Sequence, residues 1–152
     1  MSKQGPVRVL VVDDHASIRT GISRLIDGEA PRMRAVGCAA TADEALESVE
    51  HLQPDVVVLD VNLAGEDGLV LIPALRRLAP CHVVVLTSLS DPAVERMALA
   101  LGACAHVHKT APAQVLLDRI EAAREHPPVN DEAGQMSQPS REEAPRQDSR
   151  MR

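Results

Sequence analysis

The sequence has no aromatic side chain, because Phe, Tyr and Trp are all absent from its 152 residues. Any core must therefore be filled by Val, Leu, Ile, Ala and Met, which can pack at normal density. No apolar run approaches the roughly 20 residues that cross a bilayer as a helix. The start of the chain is too short and polar to be a secretion signal. We therefore expect a cytoplasmic protein with no membrane partner.

Clustered basic residues are also missing. The chain carries 16 Lys and Arg against 22 Asp and Glu, which gives a formal net charge of -6 at pH 7. Binding to DNA or RNA needs Lys and Arg grouped on one surface, so no nucleic-acid partner is expected. Cysteine is scarce, and Cys38, Cys81 and Cys104 lack the close pairing of a zinc site. We interpret them as small buried residues of a protein in a reducing compartment.

Five short apolar runs predict β-strands. The runs Val7–Val12 and Asp55–Asp60 are continuous, which is typical of strands covered on both faces in a parallel sheet. The other three predicted strands are Met33 to Cys38, His82 to Thr87 and Cys104 to His108. The segments between these runs have the spacing of helices that present one apolar face.

Capping residues and apolar stripes predict the helices. Thr41 with Glu44 forms a capping box that starts the second helix, Ala42 to His51. Asp91 before Pro92 starts the fourth. A proline inside the third helix, Pro73, should either kink it or mark a later start. The apolar stripes of the first and fourth helices are Ile18, Ile22, Leu25 and Ile26, and Val94, Met97, Ala98 and Leu101.

The alternation of strands and helices predicts a doubly wound α/β domain with a five-stranded parallel sheet. Its closing helix should run from Pro112 to about Glu125, so that residues 1–126 form the domain. Residues 127–152 are rich in proline and charge and have few large apolar side chains. Such a segment cannot bury enough surface to offset the entropy lost on ordering, and we predict a disordered tail.

Carboxylates follow two of the predicted strands. Asp13 and Asp14 end the first apolar run, and Asp60 ends the third. In an open parallel sheet, ligands bind in the crevice beyond the carboxyl ends of the strands. Acids crowded there repel one another unless a cation neutralises them, and the expected cation is a hard, oxygen-binding ion such as Mg²⁺.

Four motifs, each at the end of a predicted strand, resemble the receiver domain of two-component response regulators over residues 7 to about 125. In chain order they are Val12-Asp13-Asp14-His15, the segment from Leu59-Asp60 to Asp67-Gly68, Leu86-Thr87-Ser88, and Gly102-Ala103 leading to Lys109. Their number and order make the resemblance specific. It implies a flavodoxin-like (CheY-like) three-layer sandwich with strand order 2-1-3-4-5, in which the first and third strands are neighbours.

The resemblance also implies a function. By similarity, Asp60 accepts a phosphoryl group from a sensor histidine kinase or a phosphotransfer protein, and Lys109 and Thr87 contact the phosphoryl oxygens. The residues that would hold Mg²⁺ are Asp13 through water, Asp14, Asp60 and the main-chain carbonyl of Asn62. Slow self-hydrolysis of the acyl phosphate is expected, without turnover as an enzyme. Output is expected through the fourth helix, fifth strand and fifth helix, toward an unknown downstream protein or a second copy of the chain.

Several positions depart from the family pattern. His106 stands where Tyr or Phe is usual, so its imidazole is a candidate switch residue that would make signalling depend on pH near neutrality. Thr110 and Ala64 occupy positions where proline is common. We interpret His15 as a solvated residue of the first helical turn.

Three other functions agree less well with the sequence. A magnesium-dependent phosphohydrolase needs an Asp-x-Asp pattern, but Asn62 replaces the second acid. A transcription factor needs a DNA-reading module, and nothing after Pro127 has the helical periodicity or basic content of one. We therefore expect a stand-alone receiver, or one descended from a longer regulator that lost its output domain. An interaction module that is never phosphorylated would commonly lack one of the acids or the lysine, and all are present.

Overall fold

The computed structural model describes residues 5–88 and 91–125. The predicted domain boundary at residue 126 and the predicted tail, 127–152, lie outside the described residues. The elements of the described residues are β1 (Val7–Val12), α1 (Ala16–Asp27), β2 (Met33–Ala39), α2 (Ala42–Leu52), β3 (Val56–Asp60), β4 (Asn62–Leu63), β5 (Glu66–Asp67), a 3₁₀ turn (Gly68–Leu71), α3 (Ile72–Leu78), β6 (His82–Thr87), α4 (Pro92–Leu101), β7 (Ala105–His108) and α5 (Ala113–Arg124). No described helix has the length and apolar character of a membrane span.

Five of the described strands form one parallel sheet in the order β2-β1-β3-β6-β7. The short strands β4 and β5 pair only with each other, in an antiparallel hairpin. Strands β6 and β7 are therefore the fourth and fifth strands of the main sheet, and the predicted order 2-1-3-4-5 is confirmed. Because β1 and β3 are neighbours at the point where the strand order reverses, their carboxyl ends open into one crevice.

Two aliphatic layers cover the faces of the sheet. Strand β1 shows the division, because Leu10 and Val12 point into one layer while Val9 and Val11 point into the other. The first layer also contains buried residues of α2, α3 and α4, and the second contains those of α1 and α5. The three-layer sandwich is thus confirmed, with a core of branched aliphatic side chains in place of aromatic rings.

The helix starts follow the predicted capping chemistry. The Thr41 hydroxyl accepts a hydrogen bond from the Glu44 N–H at 3.1 Å, and the Asp91 carboxylate accepts one from the Ala93 N–H at 2.9 Å. Helix α3 begins at Ile72, so that Pro73 lies in its first turn after the 3₁₀ turn. Proline is tolerated there because first-turn N–H groups have no partner within the helix. Of the two alternatives for Pro73, the later start is confirmed.

Two predictions about burial were wrong. Met97 is 53% exposed, whereas Val94, Ala98 and Leu101 of the same helix pack into the core. Cys38 and Cys104 are also exposed. Cys38 lies in β2 and Cys104 precedes β7, which are the two edge strands and so have fewer covering neighbours. Cys81 is buried as expected, and burial raises the pKa of its thiol to about 11.

Candidate functional site

The predicted acids meet at the carboxyl edge of the sheet. Val12 and Leu59 are paired across β1 and β3, so the residues that follow them lie side by side. Ligand atoms of Asp13, Asp14, His15 and Asp60 all lie within 4.8 Å of one another. Asp13 and Asp60 are only 1% and 3% exposed. Two carboxylates are therefore taken almost wholly out of water in one small pocket, an arrangement that requires a compensating cation.

Lys109 is the cation that faces these acids. Its Nζ lies 3.1 Å from Asp13 Oδ2 and 3.2 Å from Asp60 Oδ2. The Lys109 N–H donates to the carbonyl of Thr87 at 2.8 Å, which joins the end of β7 to the end of β6. Thr87 itself is buried, with 1% exposure. The pocket therefore contains the predicted acids, Lys109 and Thr87 at the ends of four adjacent strands, β1, β3, β6 and β7.

The charges in the pocket perturb one another. Burial raises the pKa of Asp60, and the charge of Asp13 adds to this; the Asn62 N–H and Lys109 oppose both but do not outweigh them. Burial alone would lower the pKa of Lys109, but its hydrogen bonds and charge interactions with Asp13 and Asp60 prevail, so its pKa is raised. Lys109 is therefore fully charged at neutral pH, whereas ionised Asp60 is held in an environment that disfavours its charge.

The raised pKa of Asp60 leads to a stability prediction. An acid whose folded-state pKa is raised contributes stability that is present at low pH and is lost as the pH rises through that pKa. Without divalent metal, we therefore expect Asp60→Asn to melt a few degrees higher than the wild type at pH 7. The difference should vanish as the pH approaches about 4. Thermal melts across this pH range check it, with Asp118→Asn on the exposed face of α5 as control. A lower melting temperature for Asp60→Asn at pH 7 would contradict the argument.

The donor set fits a hard dication. Asp13 Oδ2 and Asp14 Oδ1 are buried atoms that accept no hydrogen bond from residues 5–88 and 91–125, although Lys109 Nζ and His15 Nδ1 lie 3.1 and 3.0 Å from them. Buried oxygens without hydrogen bonds are available to a metal ion, and carboxylate oxygens are the ligands that Mg²⁺ prefers. The Asn62 N–H donates to Asp60 Oδ1 at 3.2 Å, which holds the Asn62 peptide at the pocket.

The β4–β5 hairpin borders the pocket and explains one departure from the family pattern. Its two turn residues, Ala64 and Gly65, have φ of 51° and 85°, as a type I′ turn requires. The Ala64 N–H donates to Asp14 Oδ2 at 2.9 Å. Proline has φ fixed near −65° and no N–H. A proline at position 64 could neither adopt this turn conformation nor donate a hydrogen bond to Asp14. The structure therefore accounts for the absence of proline at this position.

Sequence reasoning missed three contributors to the pocket. The His15 ring is 66% exposed, as a solvated residue would be, yet its Nδ1 lies 3.0 Å from Asp14 Oδ1 and 3.3 Å from Asp13 Oδ1. Arg19 Nη1 donates to the Asp13 carbonyl at 2.8 Å. A Cβ on Gly68 would lie 2.2 Å from the Asp60 carbonyl oxygen. The adjacency of His15 to the acid pair was the one available signal, because Arg19 reaches the site from α1 and Gly68 from the 3₁₀ turn only in the folded chain.

His106 lies on β7, away from the acids. It is half-buried, and its Nε2 is a buried atom with no hydrogen bond in the part of the chain that the structure describes. It lines a groove of about 450 Å³ together with Leu99 of α4 and Arg119 of α5. The groove lies on the surface made by α4, β7 and α5. A switch role for His106 stays a prediction.

A doubly wound parallel sheet whose switch point holds clustered carboxylates and a lysine is typical of α/β receiver domains. The chain belongs to the response regulator receiver domain family, whose model matches residues 9–121. It is 39% identical over 111 residues to a protein-glutamate methylesterase/protein-glutamine glutaminase of Xanthomonas campestris, a match that covers 72% of this chain and 31% of that protein. It is 37% identical over 91 residues to the nitrate/nitrite response regulator NarL of Escherichia coli, covering 60% and 42%.

Solved structures agree with this assignment. The response regulator domain of Thermotoga maritima CheB superposes with a TM-score of 0.74 at 30% identity, covering 81% of this chain and 99% of that domain. The chain thus spans less than half the length of either curated relative, and a receiver domain is what the three proteins share with it. It is a receiver domain homologous to those of CheB and NarL in two-component signalling.

Proposed function

We propose that Asp60 is the phosphoacceptor of this receiver and takes a phosphoryl group from a sensor histidine kinase or a phosphotransfer protein in a Mg²⁺-dependent reaction. The observation that supports this most directly is the contact between buried Asp60 and Lys109, at 3.2 Å, beside the acid pair of β1. A carboxylate whose pKa burial has raised is a more basic nucleophile than an ordinary one. Lys109 supplies the positive charge that a transferred phosphoryl group requires.

The proposed transfer is a single displacement at phosphorus. An Asp60 carboxylate oxygen forms a bond to the phosphorus of the donor phosphohistidine as the phosphorus–nitrogen bond breaks, and the imidazole nitrogen keeps the electron pair. Lys109 offsets the charge on the phosphoryl oxygens, and the Thr87 hydroxyl donates a hydrogen bond to one of them. Asp13 through water, Asp14, Asp60 and the Asn62 carbonyl would hold Mg²⁺, which would supply positive charge to offset that of the phosphoryl oxygens.

Asn62 distinguishes a receiver from a phosphohydrolase at this site. A hydrolase of the Asp-x-Asp type needs an acid two residues after the nucleophile to move a proton. Asn62 has no titratable group, and its side-chain Oδ1 accepts the Gly65 N–H at 3.2 Å. The proposed acyl phosphate is therefore lost only slowly, and the domain transmits a signal without turning over a substrate.

The surface formed by α4, β7 and α5 is the proposed output face. Leu99 of α4 is 47% exposed and lines the groove beside His106. An exposed apolar side chain at the edge of a groove supports contact with a downstream protein or with a second copy of the chain. Phosphorylation at Asp60 would reach this face through Thr87 at the end of β6 and His106 on β7, which are on neighbouring strands.

Intact-mass measurement tests the proposed function. After incubation with Mg²⁺ and a small acyl-phosphate donor, we expect the wild type to gain the mass of one phosphoryl group, and Asp60→Asn to gain nothing. Chelation of the metal should abolish the gain in the wild type. Asp118→Asn removes an exposed acid of α5 and should behave as the wild type does. No gain in the wild type, or an equal gain in Asp60→Asn, would remove the phosphoacceptor assignment.

A further inference from the structure

The His15 imidazole is positioned by the fold to face the acid pocket. His15 is the N-cap residue of α1, but its side chain makes no capping hydrogen bond. Its Nδ1 instead lies 3.0 Å from Asp14 Oδ1 and 3.3 Å from Asp13 Oδ1, while its main-chain N–H donates to Asp13 Oδ1 at 2.9 Å. The ring therefore presents one nitrogen to two carboxylates and leaves 66% of the side chain in solvent.

These separations are those of ligands that share an ion. Two neighbouring ligands of an octahedral dication, each about 2.1 Å from the metal, lie about 3.0 Å from each other. The two distances from His15 Nδ1 to the acids are close to this value. A second observation comes from Asp13, whose carboxylate is 1% exposed and whose Oδ2 accepts no hydrogen bond from the described residues, although Lys109 Nζ lies 3.1 Å from it. A buried carboxylate oxygen that only an ammonium neutralises can also contact a bound dication.

We infer that His15 is a nitrogen ligand of the metal pocket, and that the pocket therefore takes a first-row transition dication such as Mn²⁺ or Co²⁺ in preference to Mg²⁺. The inference rests on the proposed function, since it concerns the same pocket. Oxygen ligands alone suit Mg²⁺, whereas an imidazole nitrogen adds affinity for transition ions and little for Mg²⁺. His15 thus raises the affinity of the pocket for transition ions relative to Mg²⁺, which can still support the transfer.

A plainer role for the same geometry makes a different prediction. If His15 served only as a hydrogen-bonding neighbour of Asp13 and Asp14, it would compete with every dication to the same extent. Its removal would then raise the affinity for Mg²⁺ and Mn²⁺ equally. If His15 is a ligand, its removal lowers the affinity for Mn²⁺ and Co²⁺ and leaves that for Mg²⁺ nearly unaltered. The ratio of the affinities therefore separates the two roles.

Calorimetric titration with Mg²⁺ and Mn²⁺ at one fixed pH above neutrality tests the inference. Loss of a residue that only supports a metal ligand typically lowers affinity roughly 10- to 100-fold, so loss of a direct ligand should cost at least that range. We expect this fall for Mn²⁺ in both His15→Ala and His15→Gln. His51→Ala removes an exposed histidine of α2 and should titrate as the wild type does. Equal changes for both ions, or none, would overturn the inference.

Pulsed electron paramagnetic resonance of the Mn²⁺-loaded protein gives a direct readout. A nitrogen-14 modulation from imidazole should be present in the wild type and in His51→Ala, and absent in His15→Ala. If the wild type accepts a phosphoryl group in Mg²⁺ but shows no nitrogen modulation, the His15 inference alone is wrong. If the wild type never accepts a phosphoryl group, the proposed function is wrong whatever the metal titrations give.

Discussion

Lys109→Met is expected to lower the free energy of unfolding by about 3–5 kcal/mol at neutral pH without divalent metal, the usual cost of removing one partner from a buried ion pair. The physical reason is that Asp13 and Asp60 are almost fully buried and share Lys109 as their nearby ammonium. The variant is also expected to be phosphorylated about 10²- to 10³-fold more slowly, since a preorganised charge that stabilises the transferred group is lost. Denaturant unfolding and the rate of mass gain measure the two effects.

The loss of stability should depend on pH in a defined direction. Removing Lys109 raises the pKa of Asp60 further, because the ammonium is one of the two groups that lower it. The folded variant therefore gains relative stability as the pH falls and Asp60 and Asp13 become neutral. We expect the difference from the wild type to be full at pH 7 and small below about pH 4. Mg²⁺ should restore part of the stability at pH 7, since it binds only the folded pocket.

Two controls isolate the role of the ammonium. Lys109→Arg keeps the positive charge and should retain most of the stability, but its planar guanidinium does not reproduce a compact point charge, so phosphorylation should remain slow. Arg77→Met removes an exposed cation of α3 and should change the free energy of unfolding by less than about 0.5 kcal/mol. If Lys109→Met were as stable as the wild type at pH 7 in metal-free buffer, Lys109 would not be what neutralises the buried acids.

The parts of the site that lie at strand ends could be predicted from the sequence. The continuous apolar runs that end in Asp13 and Asp60 indicate parallel strands covered on both faces, and parallel strands bring their carboxyl ends to one edge. Lys109 and Thr87 follow from the same rule, because they also end sheet strands or directly follow them. The periodicity and the family motifs both depend on this alternation, so the confirmed strand order also brings these residues to one edge of the sheet.

The parts that depend on loop geometry could not be predicted. Ala64 adopts a φ of 51°, which alanine rarely does. The residue type at this position therefore does not predict the turn of the β4–β5 hairpin. The direction of the His15 ring depends on how the chain enters α1, and its exposure alone suggested a solvated residue. Cys38 and Cys104 are exposed because of which strands lie at the edges, a property of the whole sheet that a local apolar pattern does not contain.

Gly68→Ala is expected to destabilise the domain by about 3 kcal/mol, at the upper end of the range for an added methyl group in a packed site. Gly68 is buried where the 3₁₀ turn begins, directly behind the main chain of Asp60 and Val61. A Cβ there would lie 2.2 Å from the carbonyl oxygen of Asp60 and 2.9 Å from that of Val61. Both neighbours are main-chain atoms, so no side-chain rotation can relieve the overlap. We expect a fall of about 12 °C in melting temperature, since 1 kcal/mol corresponds to roughly 4 °C in a domain of this size.

The same overlap makes Gly68→Ala a test of the site as well as of the fold. Relief of the contact requires the main chain at Asp60 and Val61 to move, and the Asp60 carboxylate moves with it away from Lys109. Phosphorylation well below the melting temperature should therefore fall by more than the folded fraction does. Gly21→Ala on α1 is the matched control, because an added Cβ would meet no atom within 4 Å outside its own stretch of helix, and the helix should gain about 0.5–1 kcal/mol. If Gly68→Ala melted and accepted phosphoryl groups like the wild type, the close approach of the 3₁₀ turn would not be what fixes Asp60.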